Sequence, residues 1–192
     1  MPRACSNDGV NLFDVVRAHE ELVERIQEVV RSTLRIHSRS AIKVLPVHTE
    51  GLPGPPDVAI IGVLRLTGVP AGNSLLALGL SYAAFAEIYE NMFGEPYVAL
   101  SEDSGDIAGE LVNIIFQSID PDLRELGLEL EPSLPAFLTG RAIDGWSQAT
   151  LGPTVVLPFS LEAGDLFVAI PDLRRRFAVA TPPDLISVTD QP

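Results

Sequence analysis

The chain has 192 residues, 46% of them hydrophobic and 20% charged, with a formal net charge of −13. Such a composition suits one globular domain with its own apolar core and excludes global disorder. With 26 acidic against 13 basic residues and a single cysteine, Cys5, the chain is unsuited to phosphate-backbone binding, so no nucleic-acid partner is expected, and it has no intrachain disulfide or cysteine-based metal site.

No apolar run approaches the length that spans a bilayer, and the opening MPRACSNDG lacks the apolar stretch of a secretory signal. No membrane insertion and a cytoplasmic address are therefore expected. His19, His37 and His48 are scattered without ligand spacing and read as structural, so no metal and no cofactor of the chain's own is expected.

Residues 1–10 read as a flexible N-terminus. From Asn11, a plausible N-cap, the apolar residues Leu12, Val15, Val16, Leu22, Val23, Ile26, Val29 and Val30 recur at helical spacing, which predicts one long amphipathic helix to about Arg35. Residues 41–47 form a short strand candidate, closed by the turn-rich GLPGPP at 51–56. The runs DVAIIGVLRLTG and SLLALGLS, with a turn through 68–73, predict an antiparallel hairpin. Ser81 then caps a short helix, YAAFAEIYENMF, which Gly94 ends.

The segment SGDIAGELVNIIFQSID at 104–120 predicts a second long helix, with Ser104 or Asp103 as N-cap. At about 100° per residue, Ile107, Leu111, Ile114, Ile115 and Ser118 form a stripe suited to core contact. Asp106, Glu110, Asn113 and Gln117 share another arc about 60° wide that holds two carboxylates, two carboxamides and no cation. The arc alone also fits the solvated face of an ordinary helix, and Asp106 near the start is favoured by the macrodipole whatever the function. Pro121 predicts a bend or restart. LELEPSLP, FLTGRAI, TVVLPFS and DLFVAIP are all strand-like, the last two forming a hairpin. This order of elements argues for an α+β fold with a largely antiparallel sheet.

The stretch MFGEPYVALSEDSGDIAGELVNIIFQSI at 92–119, with its Glu-x-x-Asn at Glu110 and Asn113, Asp106 four positions upstream, and Pro135 and Gly140 of SLPAFLTGRAI downstream, resembles the CheX branch of the CheC, CheX and FliY phosphatases of bacterial chemotaxis. The resemblance spans roughly 12–171. It implies a CheC-like fold, in which two long amphipathic helices pack on the sheet with an internal pseudo-twofold, over a domain at 11–171. It also implies a homodimer joined through the sheets. EELVERI on the first helix aligns with GELVNII on the second, Glu21 with Glu110 and Glu24 with Asn113, so the first copy has Glu where the Asn should be. An anionic Glu24 offers no amide donor and would repel an acyl phosphate, which leaves one active centre per chain. A solvated pair near Arg17 and Arg25 is the plainer account. Residues 172–192, with the basic run at 174–176, read as a C-terminal extension beyond the usual end of such proteins, either a surface tail or a patch that steers an acidic partner.

A self-sufficient hydrolase of esters or peptides needs a nucleophile, a base and oxyanion donors, and none is signalled. The family implies a substrate that brings its own machinery: the aspartyl phosphate of a CheY-like response regulator, beside a Mg²⁺ and a Lys held by the regulator. By that resemblance Asn113 positions the attacking water, Glu110 pairs with the Lys, and Asp106 and Gln117 flank the contact as partner-binding groups. The alternative is a non-catalytic CheC-like module that binds a receiver domain or a flagellar switch protein.

Overall fold

The computed structural model describes residues 11–49, 57–69, 72–99, 101–149 and 152–173. The N-terminal segment with Cys5, the 51–56 turn, Pro70 and Ala71 of the hairpin turn and the basic run at 174–176 lie outside the described residues.

Asn11 starts the first helix, α1 (Leu12–Ala18), through a reciprocal capping box: its side chain accepts from the Asp14 amide at 3.0 Å, and its own amide donates to the Asp14 carboxylate at 3.4 Å. The single long helix expected here is broken at His19, which takes an extended conformation (φ −122°, ψ 97°) before α2 (Glu20–His37) begins. The two pieces serve different neighbours. Leu12 donates its amide to the Ser74 hydroxyl at 3.1 Å and the buried Asn11 reaches the Asp172 carboxylate at 3.4 Å. Through Leu22, Ile26, Val29, Val30 and Leu34, α2 instead turns a buried stripe towards the other helices. One straight rod cannot satisfy both. Asp172, where the extension was expected to begin, is itself buried, and its amide donates to the Pro153 carbonyl at 2.8 Å.

The hairpin forms as expected, β2 (Val58–Val69) antiparallel to β3 (Gly72–Ser81). On the far side of β3 lies β7 (Asp165–Pro171), then β6 (Thr154–Ser160), itself hairpinned to β7, and finally β1 (Lys43–Val44). On the far side of β2 lie β4 (Glu129–Pro132) and β5 (Ala136–Thr139), one after the other. Every pairing is antiparallel. The strand expected at 41–47 shrinks to Lys43–Val44 with a separate bridge at His48, because Pro46 has no N–H to donate to the ladder.

Side chains alternate along the two central strands. Ile60, Leu64, Leu66, Leu76, Leu78 and Leu80 join the helices in the main core, while Ile61, Val63, Ala77, Val156, Phe167 and Ala169 form a smaller cluster of their own. Sequestering both faces explains why these strands read as near-continuous apolar runs. Ser81 caps α3 (Tyr82–Phe93), and Gly94 closes it at φ 72°, its amide bonded to the Glu90 carbonyl at 2.8 Å. After β5 the chain departs from expectation: Gly140 turns at φ 50°, and the RAI of FLTGRAI opens a helix, α5 (Arg141–Ala149). The fold is thus α+β, with two long amphipathic helices, α2 and the one that carries the motif, on a sheet that is antiparallel throughout.

Candidate functional site

The motif lies on α4 (Glu102–Glu125). Its cap is Ser101 and not Asp103 or Ser104: the Ser101 hydroxyl accepts from the Ser104 amide at 3.2 Å while the Ser101 amide donates to the Ser104 hydroxyl at 2.8 Å. Ser104 therefore stands at N3, where it closes a capping box. Just ahead of this turn, Tyr97 sits among Tyr82, Phe85 and Tyr89, edge-on to Phe85 at 5.3 Å between ring centres. At the other end the helix does not stop at Pro121. The proline is exposed, so the carbonyl it leaves unpaired stands on the side that water reaches, and the last turn is held by the fully buried Leu123 and by Arg25 of α2, 3.1 Å from Asp122.

Small residues let α4 lie almost on the sheet. A Cβ on Gly62 of β2 would stand 2.0 Å from the Ala108 carbonyl oxygen, and one on Gly105 would stand 2.3 Å from the Phe137 ring of β5. The buried side of α4 comprises Ala108, Leu111, Val112, Ile115, Phe116 and Ile119. Its centre is rotated from the stripe expected: Ile114 is 40% exposed, and Ser118 is half-buried and spends its hydroxyl on the Ile114 carbonyl at 2.9 Å.

Opposite that core, Asp106, Glu110 and Gln117 are exposed and Asn113 is half-buried, all on one outward arc. Among the described residues no hydrogen bond or ion pair engages these four side chains. A carboxylate and a carboxamide one turn apart on a rigid helix are thus left with their full bonding capacity toward an incoming surface: Glu110 accepts only, whereas Asn113 both accepts and donates. Beside them opens a groove of about 210 Å³ between α4, the end of α2 and the end of α3, lined by Ile107, Leu111, Ile114, Met92 and His37, with Asp106 and Glu110 at its edge. Sequence reasoning missed this groove. The signal was there in Ile114, which flanks the polar arc immediately after Asn113.

On α2, Glu21 and Glu24 are exposed, which suits a plain solvated helix face as well as the alignment with Glu110 and Asn113. Among the described residues no three His, Cys, Asp or Glu side chains converge to hold a metal, and no helix is long and apolar enough to cross a membrane.

The model of the family described as chemotaxis phosphatase CheX matches residues 60–160, more than half of the chain. A search of curated proteins returns no match. Among solved structures, the chemotaxis protein CheX of Vibrio vulnificus superposes with a TM-score of 0.64 at 19% identity, covering 79% of this chain and 98% of that one. A CheC-like superfamily protein from Shewanella sp. PV-4 gives 0.65 at 18% identity, covering 80% and 97%. The CheX of Borrelia burgdorferi, solved in a complex of CheX, CheY, BeF3 and Mg²⁺, gives 0.61 at 16% identity, covering 78% and 96%. At these identities the structures establish the CheC-like fold, and together with the match over 60–160 they show that the chain belongs to the CheX family of chemotaxis phosphatases.

Proposed function

We propose that the chain hydrolyses the aspartyl phosphate of a CheY-type response regulator, with Glu110 and Asn113 entering the regulator's active site from α4. The observation that carries this reading is the outward projection of that pair from a helix packed backbone-to-backbone on the sheet. The CheX family as a whole supports the activity, and a fold neighbour captured with CheY supports the partner.

In this reading Asn113 accepts a hydrogen bond from the attacking water through its carbonyl and donates from its NH₂, which orients the water in line with the breaking P–O bond without any change in its own ionisation. The water oxygen bonds to phosphorus, the regulator's aspartate leaves as carboxylate, and inorganic phosphate is released. Glu110 pairs with the regulator's phosphate-contacting lysine. Asp106 and Gln117, on either side along the same arc, act as docking groups. In this reading the Mg²⁺ is the regulator's, as the family resemblance implies.

The homodimer is proposed to form at the free edge of β1, where Val44, Leu45 and Val47 are all exposed and the strand bonds to β6 on one side. Accelerated loss of phosphate from a phosphorylated receiver domain of the same organism is the direct test of the enzymatic reading. A protein that only sequesters the receiver would leave the acyl phosphate's lifetime unchanged or longer.

A further inference from the structure

The groove beside Glu110 has an apolar wall and an anionic lip. Ile114 and Met92, 40% and 39% exposed, stand on opposite sides of it, on α4 and α3. Ile107 and Leu111 form its buried floor, and Asp106 and Glu110 both reach its edge. Leaving an isoleucine half in water on an otherwise polar arc forgoes burial that the core side of the same helix would have supplied. Ile114 follows Asn113 directly and lies one turn beyond Glu110, so any surface that engages the pair also meets Ile114 and the groove.

Resting on the phosphatase reading, we propose that the groove takes one apolar side chain of the phosphorylated receiver, a residue with a lysine or arginine next to it, and that Ile114 and Met92 thereby select which receiver is served. Two observations fix the chemistry of the occupant. The wall is apolar, which calls for an aliphatic or aromatic side chain. Asp106 at the lip has no internal partner among the described residues and is not the carboxylate assigned to the phosphate-contacting lysine, which favours a cation beside that side chain and disfavours an acidic neighbour. The groove acts as the anchor and the Glu110–Asn113 pair as the chemical end of one interface.

The test measures binding of the full chain to beryllofluoride-activated receiver domains of its own organism, comparing wild type with Ile114→Asp, Met92→Glu, Ile114→Leu and Asn113→Ala. Ile114→Asp and Met92→Glu are expected to weaken binding of the cognate receiver by about tenfold or more, with KM raised and kcat retained where turnover is measured. Ile114→Leu restores binding, and Asn113→Ala keeps the affinity while losing turnover. Thermal unfolding and light scattering should match wild type, because both substituted side chains are already part-exposed. Unchanged affinity in both groove variants overturns the proposal, as does failure of the wild type to bind any activated receiver. A change in oligomeric state in place of affinity overturns it too, since the occupant is then a second copy of this chain. If the wild type binds but does not hydrolyse, the phosphatase reading fails while the groove assignment is still decided by the affinities.

Discussion

Gly62 of β2 and Ala108 of α4 meet backbone to backbone: a methyl group on Gly62 would lie 2.0 Å from the Ala108 carbonyl oxygen. Ala108 is two residues ahead of Glu110, so this contact sets how far the candidate pair stands from the sheet. Gly62→Ala forces α4 outward, since main chain cannot step aside as a flexible side chain would. The expected result is a loss of about 1–3 kcal/mol in denaturant unfolding, with slower turnover on a phosphorylated receiver. Wild-type stability and activity in this variant would show that the helix is not seated on the glycine.

Asn113→Ala removes the group assigned to the water and leaves Glu110 in place. Binding to a phosphorylated receiver is expected to persist while hydrolysis slows by about tenfold or more, in line with losing one positioned group. Glu110→Ala is expected to weaken the complex as well, because it strips the carboxylate assigned to the receiver's lysine. Single-turnover dephosphorylation and a binding titration separate the two effects. If Asn113→Ala hydrolyses at the wild-type rate, the amide does not orient the water.

The polar arc was legible because four residues spaced for one helix face, Asp106, Glu110, Asn113 and Gln117, need only the helical period to be brought together. The position of the core was harder to read. Ile114 borders the arc and looks like core from its spacing, yet it stands 40% exposed, because the helix settles on its small residues, Gly105, Ala108 and Gly109, which allow the closest approach to the sheet. That preference depends on Gly62 and Phe137, distant in sequence. The cap was misplaced for a related reason: Ser101, Asp103 and Ser104 can all cap, and the reciprocal pair of serines decides between them. The break at His19 follows from two separate packing partners, which no local signal encodes.

Glu87 of α3 accepts four hydrogen bonds from the segment that follows α2: from the Ser38 hydroxyl at 2.7 Å, the Arg39 amide at 2.8 Å, and the Ser40 amide and hydroxyl, each at 2.9 Å. Burial pushes this carboxyl up, but the donors from Ser38, Ser40 and Arg39 together outweigh it, and it titrates below its ordinary value near 4.5. A lowered folded pKa means stabilisation that is fully present above the unfolded value and is lost as pH falls through the folded one. Glu87→Gln is therefore expected to cost about 1–2 kcal/mol at neutral pH, with the gap from wild type closing below about pH 4.5. Because Ser38 follows the groove residue His37, the same variant should also loosen that wall. Chemical melts at pH 7 and pH 4 check the sign, and a gap that widens on acidification contradicts it.

The edge of β1 and the residues after it expose Val44, Leu45 and Val47, and charge on such an edge is what ordinarily blocks edge-to-edge pairing. Only Lys43 supplies a cation within this stretch. If two copies join at this edge, the wild type runs as a dimer in light scattering, and Val44→Lys with Val47→Lys converts it to a folded monomer without loss of helical signal. A monomeric wild type, or a double variant that still dimerises, removes β1 as the seam. The motif faces solvent from α4, away from this strand in the sheet order, so the monomeric variant should retain single-turnover hydrolysis. Loss of turnover along with the dimer would mean that the second copy supports the site.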